Sequence, residues 1–223
     1  MQAQATLKQA STVPAPVSDE QRLEQLRAQA GSNPDLAKEA AWALLGELQD
    51  ESQFHRLPWL FAQGKGDADA PNGDTEGMVM NLHGSFLMRT LNRAVLLGQL
   101  LGRMGWTGKT FNPETGTGYN RVTASTYVPA RLAMPHYKLQ KQGRELLGFD
   151  FHHRIDTSPV APHLQVRGIT YDEPSFNNPL ILPKVRDEIV EIVPDVFLGR
   201  VVYRAKHGWD VVGYFALRYP FVR

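Results

Sequence analysis

LGRVVYRAKHGWDVVGYFALRYPFVR, residues 198–223, reads as two strands back to back across a turn. Two runs of period two flank Lys206, His207, Gly208 and Trp209, a polar and glycine-bearing break of the kind that turns a hairpin. In the first run Phe197, Gly199, Val201, Tyr203 and Ala205 share one face, and Leu198, Arg200, Val202 and Arg204 the other. In the second, Val211, Gly213, Phe215, Leu217 and Tyr219 oppose Val212, Tyr214, Ala216 and Arg218. The apolar faces suit a core or an enclosed pocket, and the arginine faces are expected to meet water. In a barrel turned inside out, the three arginines would instead clamp a carboxylate or phosphate, which the guanidinium fork matches. Gly199 and Gly213 lie on the apolar faces, where glycine marks curvature or space left for a ligand.

The same grammar runs upstream to Trp106. GYNRVTASTYV, ELLGFDFHHRI, HLQVRGITY, DEIVEIV and VFLGRVVYRA follow one another at short intervals, most of them separated by proline or glycine. Six or more short strands without intervening helices predict a mainly β fold, an antiparallel sheet curled into a barrel or sandwich, and the barrel is the expected form over residues 78–223. Ahead of it lie an acidic, turn-rich linker at 64–77, a helical extension at 18–63 and a disordered tail at 1–17. Within the extension Ser18 caps one helix, and Asn33 with Pro34 opens the next, whose Leu36, Ala40, Ala43, Leu44 and Leu48 face one side. Trp42 lies off that stripe. FLMRTLNRAVLLGQLLGRMG, residues 86–105, reads as a helix covering the barrel. Its Arg89, Asn92, Arg93, Gln99 and Arg103 gather on one side, so a basic amphipathic helix in peripheral contact with a membrane is the alternative.

Bulk properties remove several functional classes. Lys+Arg 24 against Asp+Glu 23 leaves a formal charge of +1, which supplies no broad basic surface for nucleic acid. The chain has no cysteine, which excludes disulfides, thiolate zinc sites and a cysteine nucleophile, and fits a cytoplasmic location. Its polar start does not read as a secretory signal. Its longest uncharged apolar stretch, residues 94–102, is far below the roughly 20 residues of a membrane span, so a soluble protein is expected.

Chemistry concentrates in ELLGFDFHHRI. Alternation places Leu147, Phe149, Phe151, His153 and Ile155 together, and Leu146, Gly148, Asp150, His152 and Arg154 opposite. His153 is therefore either a satisfied core histidine or a polar group projecting into a greasy cavity, as ligand-orienting donor or general base. Tyr171 and Tyr214 are its candidate partners. Lys109 is read as exposed, or standing at the barrel mouth beside Trp106. Arg186, Asp187 and Glu188 are expected to form a solvated ion-pair cluster. GWTGKTFNPETGTGYNR lacks phosphate-loop spacing, and Asp150 with His152 offers two ligands where a metal site needs more. Neither cofactor nor metal is expected.

The strand-rich region, with GWTGKTF leading in and GYFALRY near the end, resembles a calycin-type small barrel of the lipocalin or fatty-acid-binding sort. The resemblance spans about the last two thirds of the chain and implies a pocket for a hydrophobic small molecule. The expected function is binding of a lipid-like or polycyclic compound by Trp106, Phe149, Phe151, Tyr171, Tyr203, Tyr214 and Phe215. The alternative is a small barrel enzyme, an isomerase, cyclase or lyase, with His153 as general base.

Overall fold

In the computed structural model, residues 18–82, 105–127, 136–137, 139–179 and 182–220 are described. The tail expected at 1–17 and the covering helix expected at 86–105, apart from its last residue, lie outside them, as does the membrane contact assigned to that helix. Strands β1 (Gly73–Asp74), β2 (Glu76–Leu82), β3 (Trp106–Asn112), β4 (Thr117–Thr123), β5 (Gln140–Gln142), β6 (Glu145–Thr157), β7 (Gln165–Thr170), β8 (Val185–Val193), β9 (Val196–Ala205) and β10 (Gly208–Arg218) form one antiparallel sheet. Their order is β1-β3-β4-β6-β7-β8-β9-β10-β2, with β5 beside β6. From β3 onward the path is a meander in chain order.

The sheet nearly closes on itself because one kinked stretch supplies both of its ends. Only Thr75 separates β1, which pairs with β3, from β2, which pairs with β10. Thr75 is fully buried and tied to Lys109 three times. Its amide and its hydroxyl both donate to the Lys109 carbonyl, at 2.9 and 2.7 Å, and its hydroxyl oxygen accepts from the Lys109 amide at 3.2 Å. Gly108 is required beside this junction. At φ 144° a Cβ there would come within 2.0 Å of the Thr75 carbonyl oxygen. Arg121, buried on the outer side of β4, donates to that same carbonyl and pairs with Glu145 at 3.2 Å and Asp74 at 3.5 Å. Residues 64–77, expected as an exposed linker, are thus part of the barrel. Gly66 packs on the Gln165 backbone, and Ala68 reaches the inner core.

Helices α1 (Asp19–Ser32), α2 (Pro34–Glu47) and α3 (Leu57–Gln63) lie on the outer face of the wall. Ser18 caps α1 in a full capping box with Gln21, and Asn33 with Pro34 starts α2 as read from the sequence. The buried stripe of α2 is Ala37, Ala41, Leu44 and Leu45; Leu44 and the C-capping Leu48 are buried as expected, whereas Ala37 and Ala41 take the places expected for Leu36 and Ala40, and Leu36 is half exposed. Small residues face the sheet there and let the helix approach it. Trp42 packs at the margin under the Arg218 guanidinium, 5.0 Å from its ring centroid.

The wall consequently has two cores. The outer one joins Leu23, Leu26, Leu44, Leu57 and Phe61 to Val190, Ile192, Leu198, Tyr214 and Ala216. The inner one holds Phe111, Phe149, Phe151, Ile169, Tyr171, Ile189, Phe197, Phe215 and Leu217. The two faces of the closing hairpin sort as their alternation requires except at Val211, which the register shift before Gly213 turns to the outer core opposite Val202, and the outer face does not simply meet water. Arg204 is exposed; Arg218 pairs with Glu76 and with Glu39 (2.7 Å); Arg200 is buried. Its guanidinium lies 4.2 Å from the centroid of the Phe61 ring, donates to Glu188 at 2.8 Å and reaches the Ser158 hydroxyl at 2.6 Å. Arg186 pairs with Asp156 at 2.9 Å and lies 3.3 Å from the second Glu188 oxygen, crossing over Gly168 where a Cβ would collide with it. Arg186, Asp187 and Glu188 are therefore not a solvated cluster. The helices and the 157–164 loop desolvate two of them from outside, and the barrel encloses Asp187 from within.

Glu188, with no exposed surface, is the shared counter-charge of Arg186 and Arg200. Glu188→Gln leaves two buried guanidinium groups short of a carboxylate, and a loss of about 3–5 kcal/mol in urea unfolding is expected. Arg22→Ala, which breaks the exposed pair with Glu47, is expected to cost less than about 1 kcal/mol in the same assay.

Candidate functional site

Strand register assembles the inner face layer by layer. Lys109, Asn120 and Gly148 align across β3, β4 and β6; Phe111, Gly118 and Phe151 align one step on. His153, Ile169, Asp187 and Val201 form a third row across β6–β9, and Arg167, Ile189, Gly199 and Phe215 a fourth across β7–β10. Gly199 leaves no void, because the Phe215 ring fills the place of its missing side chain at 2.2 Å from a built Cβ. Gly213 sits where the β9–β10 register shifts, so it serves curvature.

Lys109 is not at a mouth but in the middle of this interior, 2% exposed. Its ammonium donates to Asn120 Oδ1 at 2.8 Å and to the Tyr171 hydroxyl at 2.7 Å, and pairs with Asp187 Oδ2 at 2.8 Å. Those three partners use all three of its protons. Tyr171 in turn donates to Asp187 at 2.6 Å, and Asn120 accepts from the Trp106 indole at 3.1 Å and donates to the Phe149 carbonyl at 3.0 Å. The ring centroids of Trp106, Phe151, Tyr171 and Phe215 stand 5.2–5.8 Å from the ammonium. Burial depresses the Lys109 pKa, and the Asp187 carboxylate works against that shift. Burial first, and then the Asp187 charge, push the Tyr171 phenol well above its ordinary range, so it stays a donor.

His153 lies at one end of the interior, 6% exposed, with its ring edge-on to Phe111 at 5.2 Å. Arg167 Nη1 stands 3.3 Å from Nδ1. Arginine has only donors, so Nδ1 accepts and the neutral ring carries its proton on Nε2. Nε2 has no hydrogen-bond partner. The Asn112 and Thr117 carbonyls are close enough to favour the charged ring, but burial and the Arg167 charge outweigh them and lower the pKa to about 4. Tyr171 and Tyr214, its expected partners, bond elsewhere. Tyr171 belongs to the Lys109 network, and Tyr214 is on the outer face, packed in the helical core.

Of the other candidate ligand-binding residues, Trp106, Phe151 and Phe215 stand together in the interior, Trp106 edge-on to Phe215 at 5.6 Å. Phe149 is at a bulge, with φ 56°, its ring stacked on Tyr137 at 5.1 Å and its amide donating to the Tyr137 hydroxyl. That bulge moves the buried face of β6 from Leu146 and Gly148 to Phe149, Phe151 and His153, while Ile155 is exposed beyond the rim. Tyr203 is buried opposite Val185 and Asp210. Lys109, Asn120, Asp187 and Arg167 were not picked out from the sequence as interior residues. The signal was present in β8, where charges fall on both faces of one strand and water can take only one.

Among the described residues no group of three His, Asp or Glu side chains could hold a metal ion, and no helix is long and apolar enough to cross a membrane. Comparison with protein-family models, curated protein sequences and solved structures gives no match to this chain.

Two outcomes follow for the buried groups. The ring of His153 binds a proton less readily folded than unfolded, near pH 4 against about 6.5. Above pH 6.5 it contributes no slope. As pH falls from 6.5 to 4 the unfolded chain takes up the proton first, and stability drops by up to about 3 kcal/mol. His153→Gln is expected to remove that part of the pH–stability curve in urea titrations. Lys109→Met strands Asp187 and is expected to cost about 3–5 kcal/mol, whereas Lys109→Met with Asp187→Leu recovers most of it.

Proposed function

We propose that the barrel binds an apolar small molecule, lipid-like or polycyclic, against its inner aromatic wall, in the manner of a calycin-type carrier. The observation that carries the reading is the contrast between the two cores. The outer core is largely aliphatic; the inner one converges Trp106, Phe111, Phe151, Tyr171 and Phe215 on a small set of polar groups. Aliphatic side chains suffice to fill a barrel of this size. Aromatic lining with few, fixed polar groups is the composition of small-molecule sites. The nearly closed antiparallel meander is compatible with the calycin type and supports the same reading. A cytoplasmic location remains part of the proposal.

A second reading, a small barrel isomerase, cyclase or lyase with His153 as general base, is favoured by one observation, the unpartnered Nε2. Its basicity works against it. A ring titrating near pH 4, with Nδ1 already occupied by Arg167, is a weak proton acceptor at neutral pH.

Native mass spectrometry of the protein purified from its own host is expected to show a co-purifying apolar compound of small mass. A ligand-free spectrum, together with failure to bind added apolar compounds, overturns the carrier reading. Turnover of the bound compound, lost in His153→Gln at unchanged melting temperature, moves the assignment to the enzyme.

A further inference from the structure

The cation at the centre of the barrel differs in kind from those buried in its outer face. Arg121, Arg186 and Arg200 are the buried cations outside, and a guanidinium keeps its proton at any ordinary pH. Inside stands Lys109, the one buried lysine among the described residues. A structural ion pair needs only charge, which arginine supplies on the other face. A buried lysine can also give up a proton, and it then carries a nucleophilic lone pair. The surroundings of Lys109 suit that change. Asp187 Oδ2 lies 2.8 Å from the nitrogen, placed to take a proton from it. The Tyr171 hydroxyl at 2.7 Å and Asn120 Oδ1 at 2.8 Å hold it from other sides. Burial lowers the lysine pKa against the pull of the Asp187 charge. The bonds between Thr75 and the Lys109 backbone fix where the side chain starts, so its nitrogen is delivered to one place among the rings of Trp106, Phe151, Tyr171 and Phe215.

We infer that Lys109 is a covalent anchor and that the ligand of this barrel is an apolar aldehyde, held as an imine on the Lys109 nitrogen with its apolar body against Trp106, Phe151 and Phe215. This rests on the reading of the barrel as a carrier of apolar molecules and names the reactive end of what it carries. One ammonium proton passes to Asp187, and the freed lone pair forms the C–N bond as the carbonyl π pair moves onto oxygen. A second nitrogen proton and the proton held by Asp187 join that oxygen, the C–O bond breaks and water leaves. The third proton stays on the iminium nitrogen, opposite the Asp187 carboxylate. The buried ion pair is thus conserved, and the step consumes neither oxidant nor reductant. An aldehyde is preferred to a ketone because its carbonyl carbon brings one chain rather than two to a nitrogen ringed by four aromatic side chains.

The experiment is incubation of the full chain with decanal at neutral pH, reduction with borohydride, and peptide mapping by mass spectrometry, alongside calorimetric titration with decanol. A single decyl group on Lys109 is expected. It should appear about 10-fold or more faster than labelling of the exposed Lys65, Lys141, Lys184 and Lys206, because a bound aldehyde meets the amine at high effective concentration. Excess decanol is expected to slow labelling at Lys109 and not at the exposed lysines. Lys109→Met with Asp187→Leu is expected to lose the fast label. Should that variant fail to fold, the map of the unaltered chain decides alone. Labelling confined to exposed lysines, in a chain that binds decanol, overturns the covalent anchor and leaves the carrier standing. Absence of the Lys109 label together with failure to bind decanol or larger apolar alcohols and aldehydes overturns both.

Discussion

Everything inside the barrel depends on the three hydrogen bonds between Thr75 and Lys109. A meander of this kind has two free edges, each a row of unpaired backbone groups. The stretch 73–82 serves both by pairing first with β3 and then with β10, and it changes partner at Thr75. A change of partner in buried backbone exposes amide and carbonyl groups at the step, and the Thr75 side chain takes up the difference. The same bonds fix the backbone of Lys109, so its ammonium is directed into the centre of the sheet that its main chain helps to close. Closure and site share one residue.

The buried charges have a related logic. Taking an ion pair out of water roughly cancels its own attraction, so Lys109–Asp187 and the Arg186–Glu188–Arg200 set add little net stability over apolar residues of equal size. Their effect is on alternatives. Lys109–Asp187 links facing strands and Glu188–Arg200 neighbouring ones, and sliding one of those strands by a single residue moves its charge to the opposite face, away from its partner. Aromatic and aliphatic contacts tolerate such a slip far better than a stranded ion does.

Much of the fold was legible because local signals agreed with it. The hairpin at residues 206–207, the caps at Ser18 and Asn33 and the succession of short strands each rest on short-range chemistry. The reading failed where a long-range partner decides. Nothing near Arg200 announces that Phe61 will cover it, so an outer-face arginine was assigned to water. The start of the α2 stripe moved by one residue because the sheet beneath selects alanine for closeness over leucine for size. Strict alternation carried Phe151 and His153 to the correct face only because a bulge at Phe149 intervenes after Gly148. For the site, aromatic residues stood out by type. Lys109, Asp187 and Arg167 did not, since a charged residue in a strand is read as surface until its opposite number across the barrel is known.

The chain order of the barrel sets how it must come into being on the ribosome. Its first long strand completes its pairing only with its last, and Glu76 meets Arg218 across 142 residues. The helices precede the barrel in the chain and find their apolar seat on β8, β9 and β10, the latest of its strands. Until those strands emerge Leu23, Leu26, Leu44 and Phe61 have no wall to cover, and the strand edge at β2 stays open. Contacts of such long sequence separation form slowly, and a nascent chain with greasy helices waiting on distant strands is prone to self-association. A protein built in this order has its greatest exposure to aggregation before its final hairpin is released, which makes that hairpin the committing step of its biogenesis.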